Sequence, residues 1–274
     1  MNSRSKYLLL IIAILLIAIL AVTVSWSGMA MRESSTQHRY GYTITIYTRS
    51  TIHNVTMILP VPSVNGTSEI GEALVRGEGY GVPSGWNLSL VEYREIPMLM
   101  IETPVLVPEY HAYPIPIEPG QAPNRTPPPT ATAYSEDTPI LIPLECGLGL
   151  EVNRTIDTRN PAAHEPLLYP KTMVKTYNGE SQADRAGSSN SDSPGPGEEQ
   201  DPEFLVPLYI TCNSNQPVDI EISVAITGIN EWWELGWRGN SYSERIIASI
   251  QGNETGWIYA KGRFDSGGVY RTGL

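Results

Sequence analysis

Ten residues in the last third of the chain, Val218 to Thr227, alternate without a break. Val218, Ile220, Ile222, Val224 and Ile226 are apolar, and Asp219, Glu221, Ser223, Ala225 and Thr227 stand between them. A period of two sends successive side chains to opposite faces, so this stretch is a β-strand with one buried and one wet face. The pattern recurs upstream: Tyr40, Tyr42, Ile44 and Ile46 lie opposite Thr43, Thr45 and Tyr47, and Val55, Met57, Leu59 and Val61 share a face. Ile140, Ile142, Leu144, Cys146, Leu148 and Leu150 are in phase, as are Phe204, Val206, Leu208, Ile210 and Cys212. Trp86–Tyr93 and Pro97–Val107 flank a tight Arg94-Glu95-Ile96 connection, and Arg245–Ile250 and Trp257–Phe264 flank Gly252-Asn253-Glu254.

Eight or so short strands with one small helix predict an all-β domain, most simply an antiparallel β-sandwich over residues 38–274. The helix is signalled by Ser68 as N-cap, an Ile70, Ala73, Leu74 stripe and a stop at Gly77. The SNQP turn at 214–217 reads as joining Phe204–Cys212 and the strand from Val218 into a hairpin. Pro143 sits badly in a central strand, which predicts an edge or bulged position for Pro139–Val152.

Two irregular inserts, rich in Pro, Ser and Gly, interrupt the pattern. Residues 108–138 hold a proline-dense run that ends in Thr126-Pro-Pro-Pro-Thr130 and favours extended polyproline conformations. Residues 157–203 are mostly polar, and 179–203 lack the apolar area that would offset the entropy of ordering them. The Gly-rich GEGYGVPSG at 77–85 fits neither phosphate-loop spacing and reads as a flexible loop.

Ahead of all this stands an unbroken apolar run, Tyr7 to Trp26. Twenty helical residues reach roughly 30 Å, the thickness of a bilayer's hydrocarbon core, and a helix satisfies its own backbone there. Tyr7 and Trp26 bracket the run as interfacial aromatics, and Arg4 and Lys6 precede it with no acid. The expected arrangement is a cytoplasmic residue 1–6 segment, a transmembrane signal anchor at 7–26, a polar stalk at 27–37 and an extracellular β domain. The lipid bilayer is then the first partner. Gly28-Met29-Ala30 also forms a small-x-small pattern, and cleavage after Ala30 would make the protein secreted.

The part beyond residue 30 keeps all 29 acids and lacks only Arg4 and Lys6 of the 18 basic residues, a formal charge of −13. That excludes a nucleic-acid footprint and suits a solvated outer surface. Export makes Cys146 and Cys212 a candidate disulfide, which would staple both sides of the second insert. Six N-x-S/T acceptors, at Asn54, Asn65, Asn87, Asn124, Asn153 and Asn253, are candidate glycosylation sites.

No catalytic signature emerges, and the sequence implies no cofactor and no metal. His164-Glu165 lacks the second histidine of a zincin, because position 168 is Leu. Glu231, Glu234 and Asp265 are the acids an exported hydrolase would draw on. Trp232, Trp233 and Trp237 in NEWWELGW offer a possible ligand platform, either as core or as rings stacked on sugar. The chain therefore reads as a membrane-anchored, glycosylated β protein of structural or adhesive role at the cell surface, with a cell-surface glycan or protein as its outer partner. The alternatives are a tethered carbohydrate-binding module, for which two exposed coplanar rings are the diagnostic, and an exported hydrolase.

Overall fold

The computed structural model describes residues 12, 14–19, 23, 26, 30–111, 130–131, 140–173, 204–213, 218–234, 236–252 and 255–270. Asn124, Asn253, most of the 108–138 insert and residues 179–203 lie outside them.

The alternating stretches become long strands. β1 (Gln37–Thr48), β2 (Ile52–Ser63), β3 (Asn87–Tyr93) and β4 (Ile96–Leu106) come first. Three short strands follow, β5 (Glu109–His111), β6 (Thr130–Ala131) and β7 (Ile140–Ile142), and then β8 (Leu144–Glu151). β9 (Leu167–Tyr169) and β10 (Thr172–Met173) precede β11 (Phe204–Asn213), β12 (Val218–Trp233), β13 (Trp237–Gly252) and β14 (Gly256–Gly268). Pro143 falls between β7 and β8, and β8 ends the sheet, so the proline's missing N–H interrupts an edge and not the centre.

All-β stands, but the strands form one continuous eleven-stranded sheet where the alternation suggested two stacked ones. Its order is β3-β4-β2-β11-β14-β13-β12-β1-β8, with β9 beside β2 and β10 beside β11; β6-β5-β7 form a separate three-stranded sheet. The sheet curls around its own inner face. Inward residues from β1, β2, β4, β8, β11, β12, β13 and β14 share one core cluster. The predicted β11–β12 hairpin is absent, because β11 pairs with β14 and β2 while β12 pairs with β13 and β1. Alternation fixes which face of a strand is buried and leaves its neighbour open.

The two edges of the curl meet the same cover. α1 (Glu69–Val75) begins at Ser68, whose Oγ accepts from Gly71 N–H at 3.0 Å, as the sequence signals predict. The helix contacts β2, β3 and β8, so it spans from one sheet edge to the other. The Gly-rich stretch after it is tied in place: Tyr80 N–H donates to the Gly147 carbonyl at 2.8 Å, and Gly147 N–H to the Tyr80 carbonyl at 3.0 Å. A Cβ at Gly81 would stand 2.3 Å from the Glu145 carbonyl oxygen, so this close approach requires glycine. The loop covers the unpaired edge of β8.

Cys146 on β8 and Cys212 on β11 are both free, which corrects the expected bridge. They lie on strands that are not neighbours in the sheet order, although both follow the apolar phase of their strands. Burial pushes the Cys146 thiol up to about 12, with the Glu145 charge adding to it.

Candidate functional site

The inner face of the curl is aliphatic at one end and polar at the other. At the polar end Tyr40, Asn230, Tyr242 and Glu244 point inward from β1, β12 and β13, and all four are buried. The segment from Asn153 to Met173, which takes in the front of the insert predicted over 157–203, closes this end as an ordered strap. Ile156, Leu167 and Leu168 are buried along it, a 3-10 turn runs Pro161–Ala163, and β9 and β10 pair its far part with β2 and β11. The signal for this was present in Pro166-Leu167-Leu168-Tyr169, an apolar cluster too short to show a period.

Glu165, on the strap, holds the polar end together. Arg154 Nη1 donates to its Oε1 and Nη2 to its Oε2, each at 2.7 Å, and the Asp157 N–H reaches Oε1 at 2.7 Å. The Tyr40 hydroxyl donates to Oε2 and itself accepts from Arg154 Nη2 at 2.8 Å. Burial pushes the Glu165 carboxyl up, but Arg154, Tyr40 and the Asp157 N–H together outweigh it and hold the carboxyl below its ordinary value. Burial and the bond to Glu165 push the Tyr40 hydroxyl well above the ordinary tyrosine range. A carboxylate so fully engaged stays ionised and is an acceptor only, which makes it a clamp and not a proton donor.

Two further ties repeat the design. Glu244, fully buried on β13, pairs with Lys171 and accepts from Leu168 N–H at 2.7 Å. Asn230 Oδ1 accepts from Ile156 N–H, and its Nδ2 donates to the Ile156 carbonyl, both at 2.9 Å. Backbone groups of the strap thus find partners on the inner face of the curled sheet. A shallow cleft lined by Asn65, Ile96, His164 and Tyr169 opens beside Glu165.

The tryptophans split. Trp232 is inward and 7% exposed, whereas Trp233 and Trp237, a cross-strand pair at the end of the β12–β13 hairpin, are 38% and 64% exposed. Their rings stand 5.8 Å apart at 82°, edge to face, which gives no flat shelf for a sugar ring. The hairpin end also touches the segment expected to be a stalk. Residues 30–35 are helical, Trp233 N–H donates to Ser35 Oγ at 2.8 Å, and the Arg32 guanidinium lies 5.2 Å from the Trp232 ring centre. Serine and threonine hydroxyls at 34, 35 and 36 bond back to the carbonyls of Met31 and Arg32, which lets a polar stretch continue as helix.

A second aromatic group escaped the sequence reading. On the outer face Trp257 of β14 lies 4.3 Å from Tyr93 and 5.5 Å from Tyr209, ring centre to ring centre, and is 43% exposed, with Tyr259 at 58%. Each residue looks unremarkable in its own strand; Tyr209 and Trp257 are cross-strand partners on β11 and β14, and Tyr93 of β3 joins them.

The acids available to a hydrolase are engaged elsewhere. Glu231 pairs with Arg39 at 3.1 Å, Glu234 accepts from Trp232 Nε1 at 3.3 Å, and Asp265 pairs with Arg263 at 3.0 Å. Among the described residues no group of three or more His, Cys, Asp and Glu side chains could hold a metal ion. Asn54, Asn65, Asn87 and Asn153 are all exposed. Among the described residues no helix is long and apolar enough to cross a membrane, although residues 12, 14–19, 23 and 26 of the apolar run are helical. Comparison with family models, with curated proteins and with solved structures finds no match.

Proposed function

We propose that this chain is a single-pass membrane protein that displays a curled β-sheet domain outside the cell, in a structural or adhesive role. The observation that carries the reading is the exposure of the apolar run. Ile14, Leu15, Leu16, Ile17 and Ile19 are 56–67% exposed on helical residues, uncovered by the β domain. A helix apolar on every side needs lipid or protein around it. Arg4 and Lys6 ahead of the run favour an outward β domain, and four exposed sequons are available to a glycosylating compartment. The Tyr93, Tyr209, Trp257, Tyr259 face supplies an adhesive contact surface of the amphipathic kind that protein and glycan partners use.

Alkaline carbonate washing of membranes, followed by protease treatment of intact cells, tests this. The protein stays in the washed membranes and loses its β domain to external protease. Release by carbonate, or full protection from the protease, contradicts the reading.

A further inference from the structure

The β12–β13 hairpin ends beside the helical residues 30–35, which follow closely in sequence on the apolar run, and its end carries two exposed indoles. β1 begins at Gln37, directly after the 30–35 helical turn, and runs away from it. β12 is antiparallel to β1, with Gln37 opposite Glu231, so Trp232, Trp233 and Trp237 lie past the start of β1 and back along that helix. The Ser35 bond to Trp233 and the stacking of Arg32 on Trp232 fix them there.

From this placement we propose that the hairpin end is a second membrane contact: Trp233 and Trp237 seat in the headgroup layer of the same bilayer that holds the N-terminal helix. The proposal rests on the anchor reading. Arg32 is only six residues beyond Trp26 in sequence, a reach of about 9 Å as helix and at most about 20 Å extended, while the headgroup layer adds roughly 5–8 Å beyond each side of the hydrocarbon core. A modest tilt brings the hairpin end into that layer. Indole rings favour it, because an apolar body and a polar N–H suit a wet–dry boundary. Arg32, over the Trp232 ring, and Arg238, which donates to the Glu234 carbonyl, bring positive charge to this end for lipid phosphates, while two nearby acids are already engaged, Glu231 by Arg39 and Glu234 by Trp232 Nε1. The edge-to-face geometry suits insertion between headgroups better than stacking on a flat sugar. Held at two points, the helix and the hairpin end, the β domain has a fixed tilt on the membrane, which presents the outer aromatic face in a set direction.

The test is tryptophan emission of the full chain in phosphatidylcholine vesicles whose acyl chains carry bromine near the headgroup end. The W233F/W237F chain, altered only at exposed rings, serves as the comparison. The parent shows a bromine-quenched component that the double variant lacks, and Trp26 accounts for the quenching that remains. Equal quenching in both chains overturns the second contact while leaving the anchor standing. Emission from Trp233 and Trp237 that answers to added oligosaccharide and not to brominated lipid overturns it in favour of a sugar site. A chain that does not float with the vesicles at all removes the anchor reading, and the proposal with it.

Discussion

Along β12 the inward side chains change character after Ile226. From Val218 to Ile226 they are aliphatic, and Ile44 and Ile46 of β1, Leu208 and Ile210 of β11, and Ile246 and Ile250 of β13 pack with them. Beyond it come Gly228, Asn230 and Trp232, in the company of Tyr40, Tyr242 and Glu244. The aliphatic half is non-directional and needs only volume. The polar half is directional: Glu244 and Asn230 accept bonds from Leu168 and Ile156 of the strap, and the Tyr40 hydroxyl donates to the strap's Glu165, so it fixes where the strap lies. Gly228 belongs to the same arrangement, since a Cβ there would stand 2.2 Å from the ring of its cross-strand partner Tyr242. The ring crosses the strand over that gap, and its hydroxyl donates to the Pro166 carbonyl at 2.8 Å. A curled sheet can thus be filled by burial at one end and closed by hydrogen bonds at the other.

The contrast breaks if the two halves respond alike. Ile222→Ala, at a fully buried position of the aliphatic half, costs about 3–4 kcal/mol in denaturant unfolding, as transfer and cavity terms add. A loss below about 1 kcal/mol would mean a loosely packed end. Arg154→Met leaves the Glu165 carboxylate buried with only Tyr40 and one N–H, at a cost of about 2 kcal/mol; the value is modest because Arg154 is half exposed. The same variant raises proteolysis between Asn153 and Met173, whereas Ile222→Ala does so only through global unfolding.

Acid sharpens the comparison further. Because the folded state holds the Glu165 carboxyl below its ordinary 4.5, its contribution is present above that pH and is lost as the pH falls through the lower folded value. The parent therefore loses stability below pH 4.5, and Glu165→Gln shows a flatter acid limb at the expense of lower stability near neutrality. Thermal melts across the acid range read this directly, and parallel slopes in the two chains would place the acid sensitivity elsewhere. Among thiols the effect is smallest: Cys212, half-buried, alkylates before Cys146 in the folded protein, and both react without reductant once it unfolds.

The aliphatic half was legible in the sequence because burial on one face of a strand writes a period of two. Val218–Ile226, Val55–Val61 and Phe204–Ile210 all turn the predicted face inward. Strand neighbours were not legible, since β11 and β12 alternate equally well whether paired or apart, and the expected disulfide rested on that missing information. The polar closure was hidden for another reason. Glu165 stood out only in an incomplete zincin motif and Asn230 not at all, because their partners, Arg154 and the Ile156 backbone, lie 11 and 74 residues away in sequence. The tryptophan end was half legible: adjacent indoles must face opposite ways, which Trp232 and Trp233 do, but the helical residues 30–35 beside them lie within the stretch that read as a stalk.

The most direct test of an anchored outer domain is the intact mass of the native protein extracted from membranes. The account predicts a mass that includes the apolar run ahead of Met31 and carries sugar increments. A bare chain beginning at Met31 would contradict it, because it would describe a secreted protein with neither an anchor nor used sequons.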